Sequence, residues 1–252
     1  MIPIKTPAQI QTMREAGKIL ARILDLVVRE AKPGVGTKYL DALAEKEIRV
    51  NNGWPAFKGY QGFPSSICTC LTHEIVHAPA IPDRQLKTGD LLTIDIGMRY
   101  PAKNGLIVDM AITIPIGKIT AQQKKLLQIT KKSLNIAIKK IKPDIHLGIV
   151  SSTIQEFVEK NNFNVIRDLV GHGVGEKLHE EPQIPNFGEP DAGPILKSGM
   201  TLALEPMVSI GRHEIILDKN KQTFKMKDDS ACAHFEHTVL VTEKGSEVLT
   251  KM

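Results

Sequence analysis

Two segments of the chain, 110 positions apart, repeat one pattern of side chains. Lys87–Asp95 reads KTGDLLTID and Lys197–Glu205 reads KSGMTLALE, and each apolar run ends in a carboxylate. The same offset relates two further pairs of dipeptides, Lys32-Pro33 with Lys142-Pro143 and Asn51-Asn52 with Asn161-Asn162. These coincidences predict an internal duplication, with halves of approximately 1–117 and 118–252 in a single domain. Equivalent positions of a duplicated fold meet about a pseudo-twofold axis, so the two carboxylates are expected to converge.

Hydrophobic periodicity predicts similar elements in both halves. Apolar residues recur at helical spacing after Thr6 and after Thr120, and runs rich in Ile, Val, Leu and Thr lie between Gly, Pro and Asp. The predicted elements are long helices from Thr6 to Lys32 and from Thr120 to Lys142, second helices over 37–52 and 148–161, and strands over 90–98, 109–116, 200–210 and 235–242. The pattern predicts an α+β fold in which helices cover a central, mostly antiparallel sheet.

Length and cysteine content narrow the class of protein. A chain of 252 residues can bury a hydrophobic core large enough for the fold to be stable without disulfide bonds. Three cysteines are neither an even set for disulfides nor a four-cysteine zinc site, and they suit a reducing compartment. The N-terminal MIPIKTPAQI lacks the apolar stretch of an export signal, and no run approaches the roughly 18 apolar residues of a membrane helix. We therefore expect a cytoplasmic protein that does not contact membranes.

Basic residues slightly outnumber acidic ones, 33 to 28, and part of the excess is clustered. Three lysine pairs recur so that a helix would place them on roughly one face: Lys124-Lys125, Lys131-Lys132 and Lys139-Lys140. Such a face is either simply solvated or weakly attracted to a polyanion such as ribosomal RNA. Aromatic residues are 4% of the chain, which gives no support for sequence-specific recognition of nucleic acid.

Each half presents two acidic residues near predicted strands, Asp95 and Asp109 in the first and Glu205 and Glu236 in the second. An ionised carboxylate on a helix-covered strand is costly unless it is paired or bound to a cation. Together with His172 of the GHGVG segment, these acids form a hard, oxygen-rich donor set of the kind that binds Mn, Fe, Co or Zn. The sequence therefore predicts a divalent metal centre where the halves meet.

Two further histidines, His77 and His179, precede the first acid of their half at related positions, and the duplication predicts that they flank the shared axis. Other chemistries have weaker support. GHGVG lacks the third glycine of a dinucleotide-binding loop, and Ser65-Ser66 lacks the context of a nucleophilic serine.

A series of segments resembles the bacterial type I methionine aminopeptidases of the short form, and it spans almost the whole chain. In the family's order they are FKGYQGFPSSIC, VH followed by IPD, LLTIDIG, GLIVDMAIT, GHGVGEKLHEEPQIPNFG, SGMTLALEPMVSIG and FEHTVLVTEKG. The resemblance implies the pita-bread fold, in which pseudo-twofold duplicated halves carry helices over a curved sheet. This fold is shared with the prolidases and creatinases.

The resemblance also implies which residues hold two divalent metal ions. Asp109 and Glu236 would bridge the ions, Asp95 would complete one site, and His172 with Glu205 would complete the other. Glu205 would in addition take the proton of the attacking water, as a general base does.

Substrate contacts are implied in the same way. His77 and His179 would lie near the scissile bond, with His179 donating to the carbonyl oxygen. The methionine side chain would enter a soft apolar pocket formed by Tyr60, Phe63, Cys68, Leu178 and Met207. The chain departs from the family's common residues at Gln61, His73, Leu178 and His234, and it is longer after His77 and after Met98.

The predicted function is removal of the initiator methionine from nascent proteins with a small second residue, by a monomeric enzyme. One alternative is a prolidase-like Xaa-Pro peptidase of the same fold, a family that carries a large N-terminal domain, whereas here the repeat begins almost at residue 1. The other is a non-catalytic, ribosome-associated binding module, which would be expected to lose metal ligands. All five predicted ligands are present.

Overall fold

A computed structural model describes residues 2–251 of the chain. The helices are α1 (Pro7–Glu30), α2 (Thr37–Val50), α3 (Ala121–Ile138) and α4 (Gly148–Lys160). The strands are β1 (Trp54–Pro55), β2 (Ile67–Leu71), β3 (Glu74–Val76), β4 (Leu91–Tyr100), β5 (Leu106–Pro115), β6 (Asn164–Val165), β7 (Val170–Gly173), β8 (Glu180–Pro185), β9 (Thr201–Leu204), β10 (Met207–Ser209), β11 (Ile215–Leu217), β12 (Phe224–Met226), β13 (Cys232–His234), β14 (His237–Val241) and β15 (Ser246–Val248). Among residues 2–251, no helix has both the length and the apolar character needed to cross a membrane.

The first helix of each half begins with the same capping arrangement. The hydroxyl of Thr6 accepts from the Gln9 N–H and the Gln9 side chain accepts from the Thr6 N–H. Thr120 and Gln123 repeat both bonds at the start of α3. This reciprocal capping satisfies backbone donors that a helix start leaves unpaired.

Both long helices end earlier than the sequence pattern predicts. We predicted helix as far as Lys32 and Lys142, but α1 ends at Glu30 and α3 at Ile138. A proline follows each predicted end and disfavours helical geometry in the residue before it, so the chain leaves the helix sooner. As a result Lys139-Lys140 lies beyond α3, although all six clustered lysines are exposed.

The sheets are antiparallel in every strand pair of the described residues. Strand β4 pairs with β5 along one edge and with β1 and β2 along the other. A five-stranded sheet has the order β15-β14-β9-β7-β8, and two three-stranded sheets have the orders β13-β10-β6 and β11-β12-β3. Helices α1 and α2 pack on the first sheet, while α3 and α4 share an apolar core with the five-stranded sheet. This arrangement confirms the predicted α+β, pita-bread architecture.

Backbone pairing repeats with the predicted 110-residue offset, which confirms the duplicated, pseudo-twofold halves. Trp54 pairs with Arg99 in the first half, and Asn164 pairs with Ser209 in the second. Isolated bridges join Gly36 to Gln85 and His146 to Ile195. The second helix of each half also ends alike, because the Asn51 side chain donates to the Glu47 carbonyl and the Asn161 side chain donates to the Phe157 carbonyl.

Two of the predicted strands need correction, and one segment contains strands that were not predicted. The run 200–210 is two strands, β9 and β10, interrupted at Glu205-Pro206. Pro206 has no N–H to donate to a ladder, which accounts for the break. The strand predicted over 109–116 begins at Leu106, so Asp109 lies within β5, and the polar segment between Glu205 and Glu236 contains β11, β12 and β13.

Candidate active site

A single cavity of about 970 Å³ is lined by residues of both halves. It brings together every site residue predicted from the sequence: Tyr60, Phe63, Cys68, His77, Asp95, Asp109, His172, Leu178, His179, Glu205, Met207 and Glu236. The acids and histidines are therefore directed at one space rather than scattered over the surface.

Strands β4 and β5 place two of the acids side by side. In their antiparallel register Asp95 lies opposite Ala111, and Asp109 lies opposite Gly97. Side chains two residues apart on a strand share a face, so Asp95 and Asp109 are diagonal neighbours on the same face of the sheet.

Strands β7, β9 and β14 position the donors of the second half. Strand β9 ends at Leu204, opposite His237, the first residue of β14. Glu205, just after β9, and Glu236, just before β14, therefore lie at the same end of this strand pair. His172 lies opposite Ala203, two residues before Glu205, and therefore shares its face.

Direct hydrogen bonds hold the two halves together beside the acids. The Asp109 N–H donates to the hydroxyl of Thr238 over 2.9 Å, and that hydroxyl donates back to the Asp109 carbonyl over 2.8 Å. The Glu236 N–H donates to the carbonyl of Ala111 over 2.9 Å. Asp109 and Glu236 thus belong to backbone segments that are hydrogen-bonded across the two halves, which fixes their positions relative to each other.

His172 is oriented to offer a bare nitrogen to the acids. Its Nδ1 lies 2.9 Å from the Gly173 carbonyl, which can only accept, so Nδ1 carries the proton. The Nε2 atom faces Glu205 Oε1 at 3.6 Å and Asp109 Oδ2 at 3.9 Å. Metal-ligating histidines characteristically donate their other N–H in this way.

Burial makes the carboxylates costly without a cation. It raises the pKa of Asp95 to about 7, and burial together with neighbouring carboxylates raises the pKa of Asp109 and of Glu236 well above the usual range. One oxygen of each of these three residues has no hydrogen-bond partner among residues 2–251. Donor atoms of Asp109, His172 and Glu236 lie within 4.8 Å of one another. Buried carboxylate oxygens without hydrogen bonds, together with an imidazole nitrogen, form a ligand set suited to a divalent cation.

The two other predicted histidines also line the cavity. The ring of His179 stands edge-on to that of His172, with centroids 4.5 Å apart, and its Nδ1 lies 3.1 Å from the Tyr60 hydroxyl. Burial lowers the pKa of His179 to about 4, and burial also lowers the pKa of His77. Both rings are therefore neutral at pH 7. If Tyr60 donates to Nδ1, then His179 keeps an Nε2–H for a substrate oxygen.

Some residues at the site were not predicted. Phe224 stands edge-on to His77, and the Thr223 hydroxyl lies within hydrogen-bond distance of the His77 carbonyl. Both lie in the polar segment between Glu205 and Glu236, where the sequence carries no periodic signal. Phe57 also lines the cavity, and it lies within the segment that carries the family resemblance.

His234, which the sequence pattern left without a role, lies next to Glu205 of the acid cluster, although it is not among the residues that line the cavity. Its Nε2 lies 3.3 Å from Glu205 Oε2. The short strand β13 delivers it, and the sequence signal for that strand is weak because it follows a polar stretch. His73, another departure from the family's common residues, is not among the residues that line the cavity.

Comparison with known proteins agrees with this geometry. The profile of Metallopeptidase family M24 matches residues 11–243. The chain is 45% identical to "Methionine aminopeptidase 1" of Bacillus subtilis, with 100% of both chains covered. The crystal structure of methionine aminopeptidase from Thermotoga maritima superposes with a TM-score of 0.97 at 44% identity, again with 100% of both chains covered.

More distant structures share the fold alone. The prolidase of Pyrococcus horikoshii superposes with a TM-score of 0.78 at 21% identity, covering 99% of this chain and 63% of the prolidase.

The duplicated fold and its buried donor set define a metal-dependent peptidase that uses divalent cations. The chain belongs to metallopeptidase family M24.

Proposed function

We propose that this enzyme is a methionine aminopeptidase that removes the initiator methionine from nascent proteins whose second residue is small. One observation carries the proposal: the acid cluster, two neutral histidines and a soft apolar wall line the same cavity. The full-length similarity to proteins named methionine aminopeptidase supports it. We further propose that 1–252 act as one catalytic domain, with repeats of approximately 1–117 and 118–252.

The proposed metal ligands are the acids and the histidine of the cluster. Asp95, Asp109, His172, Glu205 and Glu236 would hold two divalent cations, drawn from Co, Mn, Fe or Zn. Cations held there would polarise a peptide carbonyl and make water nucleophilic at neutral pH. The remaining steps belong to side chains of the protein.

Glu205 would accept the proton of the attacking water and pass it to the leaving amine. His179 would donate its Nε2–H to the carbonyl oxygen as negative charge develops, which is the form of stabilisation that usually contributes most. His77 would hold the amide on the leaving side. The free amino terminus of the substrate would lie at the metal centre, restricting cleavage to the first peptide bond.

The methionine side chain would lie against the apolar residues of the cavity. Cys68, Leu178 and Met207 are buried, and Phe63 is partly buried, while Tyr60 is 38% exposed at the mouth. Burial raises the pKa of the Cys68 thiol, so it remains a neutral, soft contact. A flexible thioether packs well against such a polarisable surface.

The deciding experiment offers the metal-loaded enzyme Met-Ala-Ser and, separately, Ala-Pro. Release of free methionine from the tripeptide alone is the expected result. Cleavage of Ala-Pro alone would instead support the prolidase-like alternative, and failure to cleave either peptide with any of the four metals would support the non-catalytic alternative.

We also propose that the enzyme is a cytoplasmic monomer that associates weakly with ribosomes. The exposed Lys124-Lys125 and Lys131-Lys132 pairs of α3 and the adjacent Lys139-Lys140 pair form a basic surface. Attraction of such a surface to RNA phosphates weakens steeply with salt. Co-sedimentation with ribosomes should therefore fall as salt rises and should fall further when these lysines are replaced by glutamine.

A further inference from the structure

His234 lies beneath the acid cluster in a fixed backbone position. Its N–H donates to the Thr113 hydroxyl, and that hydroxyl donates to the His234 carbonyl, each over 2.8 Å. Thr113 in turn hydrogen-bonds Thr93 over 2.7 Å. The residue is 1% exposed, so its imidazole cannot obtain hydrogen bonds from bulk water.

The imidazole of His234 is poorly satisfied in this environment. Its Nε2 approaches Glu205 Oε2 to 3.3 Å, but the geometry is not aligned for a hydrogen bond, and neither ring nitrogen has a partner among residues 2–251. Leaving a buried polar group unpaired costs about 1–3 kcal/mol. Catalytic hydrogen bonds are often long or poorly aligned in a free enzyme and tighten in its complex with the substrate.

The carboxylate of Glu205 lies between two imidazoles. Its Oε1 faces His172 Nε2 at 3.6 Å, and its Oε2 faces His234 Nε2 at 3.3 Å. The Asn186 side chain holds the Glu205 main chain by donating to its carbonyl over 3.1 Å. The Glu205 carboxylate can therefore still rotate although its main chain is held. A hydrogen-bond donor to one of its oxygens would fix its orientation.

We propose that His234 is a positioning residue whose Nε2–H donates to Glu205 Oε2, so that Oε1 stays directed at the cation shared with His172. This inference rests on the proposed metal centre. It deepens that proposal by assigning separate tasks to the two oxygens of one ligand. Partners of this kind outside the ligand shell typically change metal affinity or activity by about 10- to 100-fold.

Two substitutions separate hydrogen bonding from direct ligation. His234→Gln keeps an N–H at a similar reach but offers no ligating nitrogen, whereas His234→Leu keeps bulk and removes the donor. We expect the Leu variant to bind Mn²⁺ about 10- to 100-fold more weakly by titration calorimetry, with the loss of turnover in kcat rather than KM. The Gln variant should stay within about threefold of the parent, well below the 10- to 100-fold loss expected for the Leu variant.

The matched control is His146→Leu, which replaces a half-buried histidine that does not line the cavity and whose Nδ1 lies 3.1 Å from the Gly193 carbonyl. Circular dichroism of metal-free protein checks folding, and His234→Asn, too short to reach Glu205, replaces the Leu variant if that variant does not fold. Parent-like Mn²⁺ affinity in the donor-free variant would overturn the inference, as would a Gln variant impaired as severely as Leu. A parent that binds no cation would instead refute the proposed metal centre itself.

Discussion

Single side chains in this protein place ionisable groups where water cannot reach them. Asp95, Asp109 and Glu236 are buried, and the pKa of each is raised because burial disfavours the ionised form. His172 differs because the Gly173 carbonyl fixes its proton on Nδ1 and leaves Nε2 bare. At this scale the site consists of acceptors directed at each other, an arrangement that becomes favourable when a cation lies between them.

Replacing His172 with alanine tests this arrangement directly. Removing the nitrogen donor should abolish binding of one of the two proposed cations and lower kcat/KM by more than about 100-fold, since even partners outside a ligand shell can cost that much. Cobalt titration and the Met-Ala-Ser assay measure the two effects, and circular dichroism checks the fold. His146→Ala should behave as the parent. Full turnover in the His172 variant would show that the ligand assignment is wrong.

The predictability of individual residues follows from the same physics. Paired acids at repeated positions signal a site because their burial has to be compensated. His234 and Phe224 carry no such signal, since one imidazole or one phenyl ring is equally common in an ordinary core. Their proximity to Glu205 and His77 depends on strands β12 and β13, whose position the sequence pattern does not reveal.

Among the elements, α1 is placed by a close backbone contact rather than by periodicity alone. Gly17 lies in the middle of this helix and is buried. A methyl group there would overlap the carbonyl oxygen of Leu249, just after β15. The missing side chain therefore lets the C-terminal segment lie directly on the helix, a requirement that a hydrophobic pattern cannot show.

Substitution of Gly17 by alanine should raise helix propensity but also create a steric overlap, and these two effects on stability have opposite signs. Alanine favours the helix by about 1 kcal/mol, but overpacking typically costs about 1–3 kcal/mol. The overlap is with backbone, which cannot rotate away as a side chain can, so the cost should lie in the upper part of that range, about 2–3 kcal/mol. We therefore expect a net loss of roughly 1–2 kcal/mol in the free energy of unfolding. Urea denaturation measures it. Gly245→Ala, where an added methyl meets no atom within 4 Å, is the control. A Gly17→Ala variant as stable as the parent would refute the contact.

The overall architecture of the molecule was predicted more accurately than its individual residues or elements, because a duplication relates every element of one half to an element of the other. An ungapped offset of 110 residues in the sequence reappears as equivalent strand pairs and equivalent helix ends. The offset places Asp95 and Glu205 at equivalent positions, so their convergence followed from symmetry. Strand ends did not follow, because Pro206 interrupts the run 200–210, which the pattern predicts as one strand.

Cation binding by the whole molecule should be coupled to proton release. In metal-free protein the pKa of Asp95 is about 7, against an ordinary 3.8, and the pKa values of Asp109 and Glu236 are also raised. The folded, metal-free state therefore holds extra protons above pH 3.8, and the stability that they contribute is lost as pH rises through about 7. Ligation requires the ionised carboxylates, so a cation must displace those protons.

Manganese affinity should accordingly fall as pH is lowered from 8 to 6, by up to about tenfold per pH unit for each proton displaced. Calorimetric titrations at pH 6.5 in buffers of different ionisation enthalpy measure the protons released. The rise in melting temperature on adding Mn²⁺ should also be larger at pH 8 than at pH 6. Asp95→Asn should release fewer protons. A binding enthalpy independent of the buffer would mean that the carboxylates are already ionised in the empty site, against the effect expected from their burial.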